Sequence, residues 1–146
     1  MLDTFVVRNL EENDCHELVE LLRHLTTTEE MPDDELFSIF KERKDQGVIT
    51  KVVEDRRCGQ LVGTGSIIIE RKFVHSGKRV GHIEDVVVLP SIQGEGIGKF
   101  LMRNLCEIGK EYGCYKIILD CKDSNIPFYN KLGFYKFETT MRLDLL

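Results

Sequence analysis

Residues 86–105 read VVVLPSIQGEGIGKFLMRNL, and this stretch decides the fold. A run of valines ends at Pro90, glycines stand at 94, 96 and 98, and an amphipathic helix follows with Ile97, Leu101, Leu105 and Ile108 on one face. A strand, a glycine loop and a helix start in that order suit an anion. The first N–H groups of the helix and the positive end of its dipole point into the loop, and glycine, lacking Cβ, lets a backbone approach closely. Two phosphate motifs fail on spacing. A Walker A loop needs four residues between its first Gly and Gly-Lys-Ser/Thr; here only three lie between Gly94 and Gly98, and Phe100 stands where the hydroxyl belongs. The dinucleotide fingerprint G-x-G-x-x-G is missed as well, since the spacing is G-x-G-x-G. What remains is Q-x-x-G-x-G at Gln93, Gly96 and Gly98, or a glycine turn with no ligand.

The elements around it come in a definite order. Residues 4–8 read as a strand, and 13–25 as a helix capped by Asn13 or Asp14 with Leu18, Leu21, Leu22 and Leu25 inward. Pro32 and the acids 33–35 open a second helix with Leu36, Ile39 and Phe40 on its inner face. VITKVVED (48–55) and QLVGTGSIIIERK (60–72) form an antiparallel pair turned at RRCG, followed by a polar loop and a strand HIEDVVVL (82–89). Gly113 closes the helix after the glycine loop. CYKIILDC (114–121) is almost wholly apolar, which predicts a strand buried on both faces. SNIPFYNKLGF (124–134) is a short helix with Pro127 in its first turn and Gly133 at its end, and YKFETTMRLDLL (135–146) is a last strand. The order β-α-α-β-β-β-α-β-α-β predicts one mixed α/β domain over residues 1–146.

Composition narrows the function. The chain has 146 residues, 42% hydrophobic and 31% charged, as in an ordinary globular protein. Its net charge of −5 without a basic stretch argues against nucleic acid as partner. No apolar run reaches membrane-spanning length and residues 1–14 lack a secretion signal, so no membrane and a cytoplasmic location are expected. Cys15, Cys58, Cys106, Cys114 and Cys121 form no CxxC pair, which favours reduced thiols and no metal.

In its strand–loop–helix context, Q-x-x-G-x-G resembles the acetyl-CoA signature of the GNAT acetyltransferase superfamily, and the element order resembles that fold. GHIEDVVVLPSIQGEGIGKFLM (81–102), YGCYKIILDC (112–121) and NIPFYNKLGF (125–134), with HLTTT (24–28) and RKFVH (71–75), are similar to the glucosamine 6-phosphate N-acetyltransferase family over nearly the whole chain. That resemblance implies acetyl transfer from acetyl-CoA to the 2-amino group of glucosamine 6-phosphate, on the route to UDP-N-acetylglucosamine. It also implies a homodimer with its active site near the interface.

Residue by residue, the resemblance implies coenzyme contacts at Gln93, Gly94, Glu95, Gly96, Ile97, Gly98 and Lys99, and at Asn130 and Lys131. Backbone N–H groups of Val86, Val87 and Val88 would meet the pantetheine, provided that their strand splays from its neighbour; their side chains are core. Tyr129 matches a tyrosine near the coenzyme sulfur, where a phenol donates to the departing thiolate; otherwise it is an aromatic packed on a short helix, and Phe128 next to it is expected in the core. Glu84 and Asp85 fall where the family binds sugar. Successive strand residues face opposite sides, so both serve one pocket only if the strand is distorted; the alternative is one solvent-facing and one capping carboxylate.

Asp120 would orient the amine, or cap the segment after it. The sugar phosphate is assigned to Lys72 and His75, and across the dimer to Tyr115 and Lys116, with Thr26 touching sugar; each also reads as ordinary surface. Asp144 occupies the slot where the family has a base, and Arg142, on the same strand face, is the substitute. Direct attack in a ternary complex is favoured over an acetyl-Cys121. His82 is disfavoured as a base, because alternation turns it away from Asp85. A GNAT enzyme for another amine (polyamine, aminoglycoside or protein lysine) and a non-catalytic acetyl-CoA-binding module are the competing readings. Phosphate dependence and turnover separate them.

Overall fold

The structure, a computed structural model, describes residues 2–146. Its elements are β1 (Phe5–Asn9), α1 (Cys15–Leu22), α2 (Asp33–Asp45), β2 (Val48–Asp55), β3 (Gln60–Arg71), the short turn α3 (Val74–Gly77), β4 (Arg79–Val88), α4 (Ile97–Glu111), β5 (Cys114–Leu119) and α5 (Ile126–Asn130). The five strands form one sheet in the order β1-β2-β3-β4-β5. The first four pair antiparallel in sequence, whereas β5 runs parallel to β4 after a crossover through α4. A parallel neighbour requires such a crossover. This is the expected mixed α/β sheet.

Alternation along the strands builds two cores. Phe5, Val53, Ile67 and Ile83 pack under Ile97, Leu101, Met102 and Leu105 of α4. On the other face, Val52, Leu61 and Val87 pack under Leu21 of α1. Each such side chain, fully buried, contributes about 1.5–3 kcal/mol. Asp14 ties β1 to the start of α1: it accepts the Glu11 N–H at 2.8 Å and is gripped by both terminal nitrogens of Arg8 at 2.7 and 3.0 Å. The Arg8 bonds hold its carboxyl below the usual range.

Several expectations are corrected. β5 is the last strand of the sheet and α4 covers one of its faces, so Ile118 is 40% exposed rather than buried. Residues 135–146 form no strand, because no strand of the same chain pairs with them. The segment instead leaves Tyr135, Phe137, Met141, Leu143, Leu145 and Leu146 exposed. α1 stops at Leu22, leaving Leu25 outside, and Ile39 of α2 faces outward while Leu36 is buried. No helix among the described residues is long and apolar enough to cross a membrane.

Candidate active site

β4 carries one residue too many for its partner. Val88 and Val87 face Gly63 and Thr64, but Glu84 already faces Ser66, so Asp85 and Val86 together stand against Gly65. This is a β-bulge, and Asp85 accommodates it with φ 53°. Left-handed backbone is costly for most residues, and aspartate is among those that adopt it more readily. The bulge interrupts alternation: Glu84 and Asp85 are both exposed, while Ile83 before them and Val87 after them are buried. The distortion that two adjacent carboxylates need in order to share a site is therefore present.

β5 departs at the same place. Its ladder with β4 ends at Ile83 and Leu119, and Asp120 follows directly. Glu84 feels both Asp85 and Asp120. Crowding by protein raises its carboxyl above the usual range, the two like charges add to this, and His82 opposes it. Beyond Ile83, β4 is paired on its β3 side alone. The Leu89 N–H donates to the Val62 carbonyl at 2.9 Å, so by alternation Val87 also turns its backbone to β3 while Val86 and Val88 face the parting. The Val88 carbonyl accepts Gln93 Nε2 at 3.1 Å. The expected set of three valine backbones thus narrows to two.

The glycines have separate reasons. Gly94 and Gly96 take φ of 93° and 83°, and a Cβ on either would meet nothing within 4 Å; what they supply is the left-handed turn, with open space in front of it. Gly96 caps α4 without a side-chain hydrogen bond, and the Phe100 N–H is bonded to its carbonyl at 3.0 Å. The N–H groups of Ile97, Gly98 and Lys99 precede that bond and lack an intrahelical acceptor. Gly98 is needed for packing: its Cβ would lie 3.3 Å from Phe128 Cζ and 3.8 Å from Val88 Cγ2. Phe128 thus lies over the start of α4 and stays 37% exposed, outside the core expected for it.

Tyr129 stands between two rings, edge-on to Phe128 at 5.0 Å and to Phe134 at 5.9 Å. Burial pushes its phenol above the ordinary value of 10.0, and the neighbouring Cys121 adds to the rise. Near neutral pH the hydroxyl therefore keeps its proton, which makes it a donor and not a base. Asp120 Oδ1 accepts the hydroxyl of Thr140 at 2.5 Å.

A sequence profile of the acetyltransferase (GNAT) family matches residues 13–134. The chain belongs to the GNAT acetyltransferase family. It is 48% identical over 139 residues to the glucosamine 6-phosphate N-acetyltransferase of Trypanosoma brucei brucei, covering 95% of each chain. It is 40% identical over 136 residues to that of Arabidopsis thaliana, covering 91% of each. The crystal structure of a Trypanosoma brucei acetyltransferase matches with a TM-score of 0.93 at 48% identity, over 97% of this chain and 99% of that one. The Arabidopsis enzyme's structure matches with a TM-score of 0.92 at 37% identity, over 97% and 98%. An acetyltransferase of Clostridium acetobutylicum, solved with acetyl-CoA, shares the fold at 21% identity and a TM-score of 0.76, over 96% of each chain.

In this GNAT chain the residues expected to hold phosphate lie away from the carboxylates. Lys72, His75, Tyr115 and Lys116 gather where β4 begins, with Arg79 opposite Cys114. Glu84 is five residues further along β4, roughly 17 Å at the rise of an extended strand. His75, at φ 53°, sets its ring 4.4 Å from that of Tyr115, and Lys116 Nζ lies 5.4 Å from the same ring. Lys72 Nζ is 3.1 Å from Glu70, whose other oxygen is 2.8 Å from His82 Nε2. Thr26 sits in the turn after α1 with its N–H on the Leu22 carbonyl at 3.1 Å, and Arg142 Nε donates to Asp144 at 2.7 Å in the exposed C-terminal segment.

Asn130 and Lys131, at the end of α5, are exposed. A cleft of about 660 Å3 beyond the C-terminal end of α4 is lined by none of the candidate residues. The candidate site is an open parting between strands, not a closed cavity. Glu70 and Thr140 are the polar partners that sequence reading missed. Each meets its partner across the fold, with no signal in local spacing.

Proposed function

We propose that the chain transfers the acetyl group of acetyl-CoA to the 2-amino group of D-glucosamine 6-phosphate, giving N-acetyl-D-glucosamine 6-phosphate and CoA, as a homodimer. The observation that carries this reading is the bend of β4. There Glu84 and Asp85 both face outward, Asp120 is close enough to act on Glu84, and the backbones of Val86 and Val88 face the parting of the strands. The names of the relatives at 48% and 40% identity support the choice of acceptor.

The α4 start, with no side chain capping it and open space at Gly94 and Gly96, fits a pyrophosphate. The thioester then runs along the edge of β4, where an outward N–H of Val86 or Val88 stabilises the oxyanion as it forms. Amine and thioester are held together, so attack is direct and Cys121 carries no acetyl group. The amine loses a proton before attack, and Glu84, with its raised carboxyl, accepts it with Asp85 and Asp120 orienting the nitrogen. The C–N bond forms, the nitrogen sheds its second proton to water as the oxyanion collapses, and the C–S bond breaks. The leaving sulfur takes the phenolic proton of Tyr129, which solvent restores.

The exposed apolar side chains of residues 135–146 and the free edge of β5 support a dimer. Tyr115 and Lys116, beside Arg79 and Val80, lie roughly 13–17 Å along the sheet from Glu84 of their own chain, so we assign them, with Lys72 and His75, to the phosphate bound by the second copy. Arg142 directs its Nε to Asp144 and is the weaker candidate.

The test is to mix protein, acetyl-CoA and glucosamine 6-phosphate and follow free thiol. Thiol release that depends on the sugar phosphate is expected. No release above the no-sugar background, with acetyl-CoA still bound, overturns the reading in favour of a coenzyme-binding module. Equal rates with glucosamine lacking the phosphate point to another amine.

A further inference from the structure

We infer that Thr140 is a positioning residue for acetyl transfer, acting through Asp120; the inference rests on the reaction proposed above. Residues 135–146 follow α5 without helix or strand, and Tyr135, Phe137, Met141 and Leu143 are 70 to 88% exposed. Arg142 and Asp144 bond to each other. Among the described residues, the hydrogen bond that joins this arm to the rest of the chain runs from Thr140 Oγ1 to Asp120 Oδ1, at 2.5 Å. The arm thus meets the body at one of the three carboxylates gathered where β4 and β5 part.

Asp120 needs such a partner. It is exposed, it follows the last paired residue of β5, and it stands near enough to Glu84 for their charges to interact. An exposed carboxylate on a strand end samples several rotamers, and freezing them when the amine binds weakens binding. A short O–H···O⁻ bond fixes one oxygen beforehand, leaving the other to face the amine. The hydroxyl carries no charge, so the attraction of the carboxylate cluster for an ammonium is kept; a lysine at this position would cancel part of it. Threonine is stiff about χ1, which sharpens the aim.

Steady-state kinetics of Thr140→Val and Thr140→Ser, each also combined with Asp120→Ala, test this. Thr140→Val is expected to lower kcat/KM for glucosamine 6-phosphate roughly three- to tenfold, leaving the KM for acetyl-CoA unchanged. Thr140→Ser, which keeps the hydroxyl, should return most of the loss. In the Asp120→Ala background, which leaves no acceptor, Thr140→Val should cost nothing further, the non-additivity of residues acting as a unit. Losses that add, a parallel loss of acetyl-CoA affinity, or an active wild type matched by Thr140→Val overturn the inference alone. A wild type that releases no thiol overturns the reaction and the inference together. Thr140 is exposed, and Thr140→Ala is a second variant without the hydroxyl should the valine impair folding.

Discussion

His75 and Tyr115 stack with ring centroids 4.4 Å apart at the end of the β4–β5 ladder remote from Glu84. In the proposed dimer, the cationic cluster built there binds the substrate phosphate at the site of a second copy. Chains carrying Lys116→Ala, co-expressed with chains carrying Tyr129→Phe, should therefore regain activity that neither variant has alone. Random pairing gives roughly a quarter of the wild-type rate, since half the dimers carry one intact site of two. If both residues acted within one chain, the mixture would be no more active than the average of the two variants.

Asp85 has a backbone role and a side-chain role, and two substitutions separate them. Asp85→Gly accepts φ 53° and should keep thermal stability close to wild type while acetyl transfer falls. Asp85→Val loses the carboxylate and also strains the bulge, which should lower stability by about 1–2 kcal/mol in denaturant melts. Equal stability of the two would show that the bulge carries no strain.

Gly98→Ala pushes a methyl to 3.3 Å from Phe128 Cζ. Phe128 has to yield by a few tenths of an ångström, shifting α5 and Tyr129 with it. The KM for acetyl-CoA should rise several-fold with little change in melting temperature. Gly96→Ala has open space but φ 83°, so it should cost stability, about 1 kcal/mol.

The pH profile of kcat should carry two signatures. The carboxyl of Glu84, ordinarily near 4.5, is raised, so its basic form appears only above that range and kcat falls as pH drops through the raised value. Glu84→Gln should remove that limb. The phenol of Tyr129 is raised above 10.0, so its donor form survives to the alkaline end, and Tyr129→Phe should lower kcat about a hundredfold at every pH below it.

Asp14 governs acid stability. Its carboxyl is depressed by Arg8, so the stabilisation is complete above the unfolded-state value and is lost as pH falls through the folded one. Asp14→Asn should cost about 2 kcal/mol at neutral pH and flatten the acid limb of the stability curve.

Local pattern made most elements legible. β2 runs over Val48–Asp55, as its alternation with β-branched residues indicates, and α4 buries Ile97, Leu101 and Leu105 at helical spacing. Pro32 and its acids open α2 as expected. What escaped reading depends on neighbours in space. CYKIILDC looks like a strand with two covered faces, but coverage belongs to the helices around it, and Ile118 stays 40% exposed. YKFETTMRLDLL has strand composition without a ladder partner in its own chain. The carboxylate pair at 84 and 85 was visible as a conflict with strict alternation. Its resolution, an extra residue opposite Gly65, exists only once β3 is laid beside β4.

That extra residue leaves the two halves of β4 out of phase. Up to Ile83 the strand keeps one parity of inward and outward side chains, and from Val87 onward it keeps the other. Side chains at the bend are exchangeable within the limits of charge and φ, but their number is not. Removing any single residue between Ile83 and Val87 would bring the halves back into step. Val87 would still lie opposite Thr64 and under α1, but one of the two outward carboxylates would be lost or turned inward. In this strand the length of the segment is itself part of the chemistry.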